Sequence, residues 1–172
     1  TPTITAASRR DLAIALGYLH GQERYFRMDL LRRYAAGELS VLMGESTVKV
    51  DTAIRVHRFR TRARRMIAAL PPGERALLDA YVSGVNQGRA DLPGRPFEYW
   101  LLRAAPRPWQ PEDTVLAVFA MYLNLQPATP RTELDMARAE QAVGPEMAAF
   151  LYPLTNELDA PIDGSTLPEP PF

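Results

Sequence analysis

The sequence predicts a mainly α-helical chain. Apolar residues recur at helical spacing through most of the first 125 residues, and helix-capping residues or Gly and Pro stops bracket the runs. Strand-like character is confined to residues 3–6 and 48–50.

The first helix opens at Ser8, which forms a capping pair with Asp11 three positions on. Leu12, Leu16, Leu19, Phe26, Leu30, Leu31 and Tyr34 carry the period onward as one element to Gly37, a natural C-terminal cap. Glu38 to Met43 makes a short turn of helix closed by Gly44. Residues 51–70 form the next helix, stopped by Pro71-Pro72. Residues 74–89 then place Leu77, Leu78, Tyr81, Val82 and Val85 on one face before Pro93-Gly94. A short segment at 97–102 precedes the stretch Pro106-Arg107-Pro108-Trp109-Gln110-Pro111.

Pro111 suits the first position of a new helix, and Glu112 and Asp113 put negative charge at its positive end. That helix runs to about Leu125, and Pro127 and Pro130 break it. Thr132 and Asp135 open another, which Gly144-Pro145 ends, and residues 146–152 make a last turn. The final twenty residues hold five prolines and no helical period, which predicts an extended or disordered tail. The chain therefore divides into a helical domain at 1–152 and a proline-rich tail at 153–172. No internal repeat is visible.

Composition removes several function classes. The 172 residues carry 20 Lys plus Arg against 20 Asp plus Glu, and a chain of zero net charge lacks the positive excess that drives binding to nucleic-acid phosphates. The longest apolar run, 115–123, is nine residues, against roughly 20 for a membrane-spanning helix. With no Cys, disulfides, a thiolate nucleophile and cysteine zinc sites are all excluded. The opening Thr1-Pro2-Thr3-Ile4 has neither the basic nor the apolar region of a signal peptide, although one removed earlier would leave no trace. Sixteen prolines, 13 of them after residue 92, leave a second half that looks built to wrap another chain.

The titratable residues form no self-sufficient active site. His20 and His57 lie 37 positions apart without a third histidine or an evident nucleophile, and read as structural or exposed. Six arginines fall in eleven residues at Arg55, Arg58, Arg60, Arg62, Arg64 and Arg65, and read as a solvated helix face pairing with the acids of a partner. Glu112/Asp113 and Glu133/Asp135 lie in first helical turns, where acids are favoured by the helix dipole alone. No glycine-rich phosphate loop, Gly-x-Ser-x-Gly elbow or His-Glu-x-x-His pattern occurs.

The run Leu16-Gly17-Tyr18-Leu19-His20-Gly21-Gln22-Glu23-Arg24-Tyr25-Phe26-Arg27-Met28-Asp29 with Arg32-Arg33 resembles the N-terminal pattern of the penicillin acylase family. The resemblance continues through Ala36-Gly37-Glu38-Leu39-Ser40, Leu42-Met43-Gly44, Asp51, the Tyr-x-x-Gly-Val-Asn stretch ending at Asn86, and Pro108-Trp109-Gln110-Pro111-Glu112-Asp113. It covers about residues 2–165.

The resemblance implies the small α chain of a heterodimer, wrapped around an αββα N-terminal nucleophile hydrolase core that a separate, larger β chain largely forms. It further implies a precursor that cuts itself, with the nucleophile, usually Ser, at the β-chain N-terminus. It places Met121, Tyr122 and Leu125 at the acyl pocket, where Leu125 stands in for an aromatic found in phenylacetyl-specific members. It places Glu133 as a calcium ligand completed by β-chain oxygens. The implied enzyme is a secreted or periplasmic bacterial amidohydrolase acting on β-lactam side chains, acyl-homoserine lactones or lipopeptides. Against it stands a non-catalytic helical module that binds through the Arg-rich face at 55–65.

Overall fold

A computed structural model describes residues 3–126, 130–153 and 162–165, without the side chains of 130–132. The described residues contain helices and turns and no strand. They fall into two units, 1–125 and 126–172.

In the first unit, α1 (Arg9–Glu23) starts where the Ser8 hydroxyl accepts the Asp11 amide at 3.1 Å. It packs along α6 (Pro72–Ala90), and the contact is made by glycine rather than by the leucine stripe. Gly17 and Gly21 are buried on α1, and Gly84 and Gly88 on α6, whereas Leu12 and Leu16 are exposed. A Cβ at Gly84 would sit 2.1 Å from the Ile14 carbonyl oxygen, and one at Gly17 would sit 2.2 Å from that of Tyr81. The two backbones touch because no side chain separates them.

The expected single helix over 8–37 is two. Arg24 leaves the helical region (φ −147°, ψ 23°), and α2 (Tyr25–Ala36) follows. The break re-aims the chain: α1 serves α6, while α2 packs on α8 (Pro111–Leu125) and α4 (Val48–Arg55). Gly37 closes α2 in the left-handed region (φ 66°), with the Glu38 amide reaching back to the Arg33 carbonyl at 2.8 Å.

The expected helix over 51–70 also divides, into α4 and α5 (Phe59–Ala68), around Arg58 at φ 53°. No Gly or Pro marks that bend, so the apolar period alone reads through it. Residues 48–50, with their strand-like valines, open α4 instead, because Asp51 and Ile54 must turn inward together. The short α3 (Ser40–Met43) begins under Asp51, whose two carboxylate oxygens accept the Leu39 and Ser40 amides at 2.8 and 2.7 Å.

Burial pushes the Asp51 carboxyl up, but the hydrogen bonds from Ser40 and Leu39 and the Arg55 charge outweigh it and hold the group below the ordinary range. A carboxyl lowered in the fold contributes stability above its unfolded pKa of about 4, and that contribution disappears as pH falls through the lower folded value. Asp51→Asn is expected to flatten the acid limb of the stability curve below about pH 4, as followed by urea unfolding at stepped pH.

α6 starts two residues earlier than expected, with Pro72 in its first turn. α7 (Phe97–Leu101) and α8 fall where the sequence places them. One core cluster gathers Tyr25, Met28, Leu42, Val85, Tyr99 and Trp109, and a second gathers Ala35, Ile54, Phe59, Ala63, Leu116 and Ala120. α2 contributes to both.

The second unit contains α9 (Pro130–Val143) and α10 (Pro145–Leu151), packed on each other. α9 starts at Pro130, so Thr132 lies inside the helix rather than capping it. Of the predicted proline-rich tail, 154–161 and 166–172 lie outside the described residues, as does Pro127.

Candidate functional site

The site is built on α8, and its geometry begins at the start of that helix. Asp113, 1% exposed, accepts the Gln110 amide at 2.8 Å and so caps α8 from within. The same carboxylate accepts Arg32 Nη1 at 2.5 Å and Arg60 Nη1 at 3.2 Å. Arg32 continues through Nε to Asp29 at 2.6 Å, and Asp29 also accepts Arg33 Nε at 2.9 Å and the Tyr99 hydroxyl at 2.7 Å. Arg60 forks onto both oxygens of Glu38 at 2.8 and 2.9 Å, and Arg64 reaches Glu112 at 3.0 Å. Four arginines thus face four acids, with Asp29, Arg32, Arg33 and Asp113 fully enclosed.

Burial alone would lower the Arg32 pKa, but Asp113 and Asp29 outweigh it and raise it. Burial, with the Asp29 charge, raises that of Tyr99. Both groups therefore stay protonated, as the hydrogen bonds require.

The proline-studded connector before α8 is held by the same cluster. Arg32 donates to the Pro108 and Arg107 carbonyls at 3.0 and 3.2 Å, and Tyr25 donates to the Arg107 carbonyl as well. Trp109 is gripped by Asn86, which donates to its carbonyl at 2.9 Å and accepts its amide at 2.8 Å, while the indole N–H donates to Thr114 at 3.0 Å. The connector is a splint that sets the register and rotation of α8.

That rotation sorts the apolar residues of α8 onto two faces. Asp113, Leu116 and Ala120 are buried against α2 and α5. Val118, Met121, Tyr122 and Leu125, at i, i+3, i+4 and i+7, are 62, 61, 53 and 68% exposed. A helix apolar all round is one that expects cover on both sides. The three residues that the resemblance assigns to an acyl pocket, Met121, Tyr122 and Leu125, share one uncovered face.

Beside this face, between α5 and α8, runs an open groove of about 650 Å³. Phe59 stacks on Phe119 within it at 4.6 Å between ring centroids. The Arg-rich run, expected as a solvated face pairing with the acids of a partner, is in part paired within this chain. Arg60 and Arg64 turn to acids of this chain, and Arg55 Nε donates to the Gly37 carbonyl at 2.7 Å. Arg62 and Arg65 stay on the groove's rim.

Glu133 lies exposed in the first turn of α9, in the second unit. Among the described residues no three acids or histidines gather in a set able to hold a metal ion. A single carboxylate supplies at most two of the six to eight oxygens calcium takes, so Glu133 would need further oxygens from beyond the described residues. His57 is exposed, and half-buried His20 pairs with the Tyr81 hydroxyl at 2.9 Å, burial and then Arg24 lowering its pKa.

A family model described as penicillin amidase matches residues 1–166. The chain belongs to the penicillin amidase family. The penicillin acylase 2 proenzyme of Pseudomonas sp. (strain SE83) is 38% identical over 110 residues, 64% of this chain and 14% of that protein. The acyl-homoserine lactone acylase QuiP of Pseudomonas putida is 29% identical over 158 residues, 88% of this chain and 19% of that protein. Among solved structures, a thermostable penicillin G acylase from Alcaligenes faecalis matches with a TM-score of 0.73 at 28% identity, covering 99% of this chain and 93% of that chain. The chain thus spans a fifth or less of the two Pseudomonas relatives, but nearly the whole of a chain in the Alcaligenes structure.

The motifs that resemble the penicillin amidase pattern have identifiable physical roles here. Gly17, Gly21 and Gly84 let α1 and α6 touch, Asp29 and Asp113 anchor the buried cluster, Asp51 caps α3, and Asn86 clamps Trp109. The cluster itself escaped the sequence reading, in which Glu112 and Asp113 stood as dipole partners and as part of a family-like motif but not as partners of Arg32, Arg60 and Arg64. Its signal was Asp29, Arg32 and Arg33 at i, i+3 and i+4 on a helix otherwise rich in core residues.

Proposed function

We propose that this chain is the small helical subunit of a penicillin-acylase-like amidohydrolase, with the nucleophile at the N-terminus of a separate, larger chain. The observation that carries the reading is the second apolar face of α8, open in a chain whose fold matches nearly all of one chain of a penicillin G acylase. In the assembled enzyme the nucleophile of the larger chain attacks the amide carbonyl, the amine leaves with a proton, and water releases the acyl group as a carboxylic acid. Met121, Tyr122 and Leu125 contribute apolar wall to the acyl side of the pocket.

The relatives named above act on penicillins and acyl-homoserine lactones, and lipopeptides share the same N-acyl bond. The aliphatic Leu125 favours a fatty or broad acyl group over phenylacetyl. Leu125→Phe is expected to shift the ratio of kcat/KM for decanoyl over phenylacetyl amides downward by about tenfold, since one pocket contact discriminates by about 1–3 kcal/mol. An unchanged ratio across acyl chain lengths would remove Leu125 from the pocket.

Calcium belongs to the same proposal. The exposed Glu133 carboxylate is a hard oxygen donor of the kind the ion takes, and the remaining oxygens would come from the larger chain. Chelation is expected to lower the Tm of the assembled enzyme, and Glu133→Gln to abolish that sensitivity. We place the enzyme in the bacterial periplasm or outside the cell; no described helix is long and apolar enough to cross a membrane.

The primary test is an intact-mass spectrum of natively purified material with N-terminal sequencing of every chain. A stoichiometric companion several times this mass and beginning with Ser, Thr or Cys is the expected result. A folded 19.2 kDa species alone would overturn the reading and return attention to the Arg-rich face as a binding surface.

A further inference from the structure

The groove between α5 and α8 combines an apolar floor with positive charge that no carboxylate among the described residues neutralises. Its floor is Phe59, Met66, Val118 and Tyr122, and of these Met66, Val118 and Tyr122 are more than half exposed. Arg62 and Arg65 stand on its rim, both exposed. Arg62 Nε donates to the His57 carbonyl at 2.9 Å, and among the described residues neither arginine meets a carboxylate. Their helical neighbours Arg60 and Arg64 are satisfied by Glu38, Asp113 and Glu112. The split is therefore one of helix face: one side of α5 is neutralised from within, and the other carries Arg62 and Arg65 without a carboxylate among the described residues.

We infer that this groove is the docking surface for a segment of the larger chain carrying apolar side chains flanked by Asp or Glu. The inference rests on the subunit reading and specifies the chemistry of the partner surface. Two observations select this occupant. The two Pseudomonas relatives are at least five times the length this chain spans, so most of such a protein lies outside it. Val118 and Tyr122 belong both to the groove and to the open face of α8, which makes the two one continuous apolar surface. A second copy of this chain is disfavoured by charge. An isologous contact through this groove would gather the rim arginines of both copies in one interface and bring no acid from the groove to meet them.

The test uses the full-length protein with p-benzoylphenylalanine in place of Met66, irradiated after purification, and the cross-linked peptides identified by mass spectrometry. The expected product joins this chain to a segment of the larger chain containing Asp or Glu among apolar residues. In parallel, the double variant Arg62→Glu/Arg65→Glu is expected to weaken the association of the two chains by about tenfold or more at physiological salt. Circular dichroism should leave its helicity unchanged, since both positions are exposed. Cross-links to a neutral segment, to a second copy or to nucleic acid would overturn the inference, as would wild-type association in the double variant. If no larger chain is present at all, the subunit reading fails first. If the larger chain is present and position 66 fails to reach it, only the groove assignment falls.

Discussion

Asp29→Ala is expected to cost about 3–5 kcal/mol, a large share of the roughly 5–15 kcal/mol by which a folded domain is stable. Asp29 is fully buried and accepts from Arg32, Arg33 and Tyr99, so its loss leaves two guanidinium groups and a phenol short of an acceptor in a space closed to water. The strength of the pair matters less here than the charge left behind when one partner goes. Asp29→Asn, which keeps an acceptor and loses the charge, should fall between the two. The control is Asp79→Ala, which breaks the half-exposed Arg75–Asp79 pair at 2.9 Å and should cost less than about 1 kcal/mol. Urea unfolding of the assembled protein, with amide exchange in α2 and α8 as the local readout, separates the three. Equal effects at Asp29 and Asp79 would mean that the cluster is wetter than its geometry shows.

Gly84→Val is expected to separate α1 from α6. Even a methyl group there would stand 2.1 Å from the Ile14 carbonyl oxygen and 2.9 Å from its carbon, and both obstacles are backbone. Neither can rotate away, so the helices must part, at a cost of about 3 kcal/mol or more. Gly73→Ala reverses the sign. Gly73 lies in the same helix, with open space around it, so the exchange should stabilise by up to about 1 kcal/mol through helix propensity. Thermal unfolding of the two variants should move Tm in opposite directions. A Gly84→Val protein with unchanged Tm would place the α1–α6 contact elsewhere.

Those glycines also mark where the sequence could be read and where it could not. Helices bounded by Pro and Gly, such as α7 and α8, were legible because the boundary is local chemistry. The breaks at Arg24 and Arg58 were not, because nothing local imposes them. The chain bends there so that successive helices can reach different neighbours. In α1 the leucine period pointed at a stripe that is partly exposed, while the packed side is glycine, which periodicity scores as nothing. At the candidate site, Met121, Tyr122 and Leu125 were placed together from a resemblance, and the structure sets them on one open face. The ionic joint beneath them was hidden because charged residues ordinarily signal surface.

That joint has a consequence for how such a protein can change. The position of α8 is decided by Asp113, Trp109 and Asn86, all on its inner side or before its start. Met121 and Leu125, 61 and 68% exposed and outside the groove beside α5, lie away from that grip. The helix behaves like a tool shank locked in a chuck: the working edge can be reground without loosening the grip. Side chains on that edge are free to diversify in size and shape at little cost to folding, which is the arrangement a scaffold needs if one architecture is to serve many acyl groups.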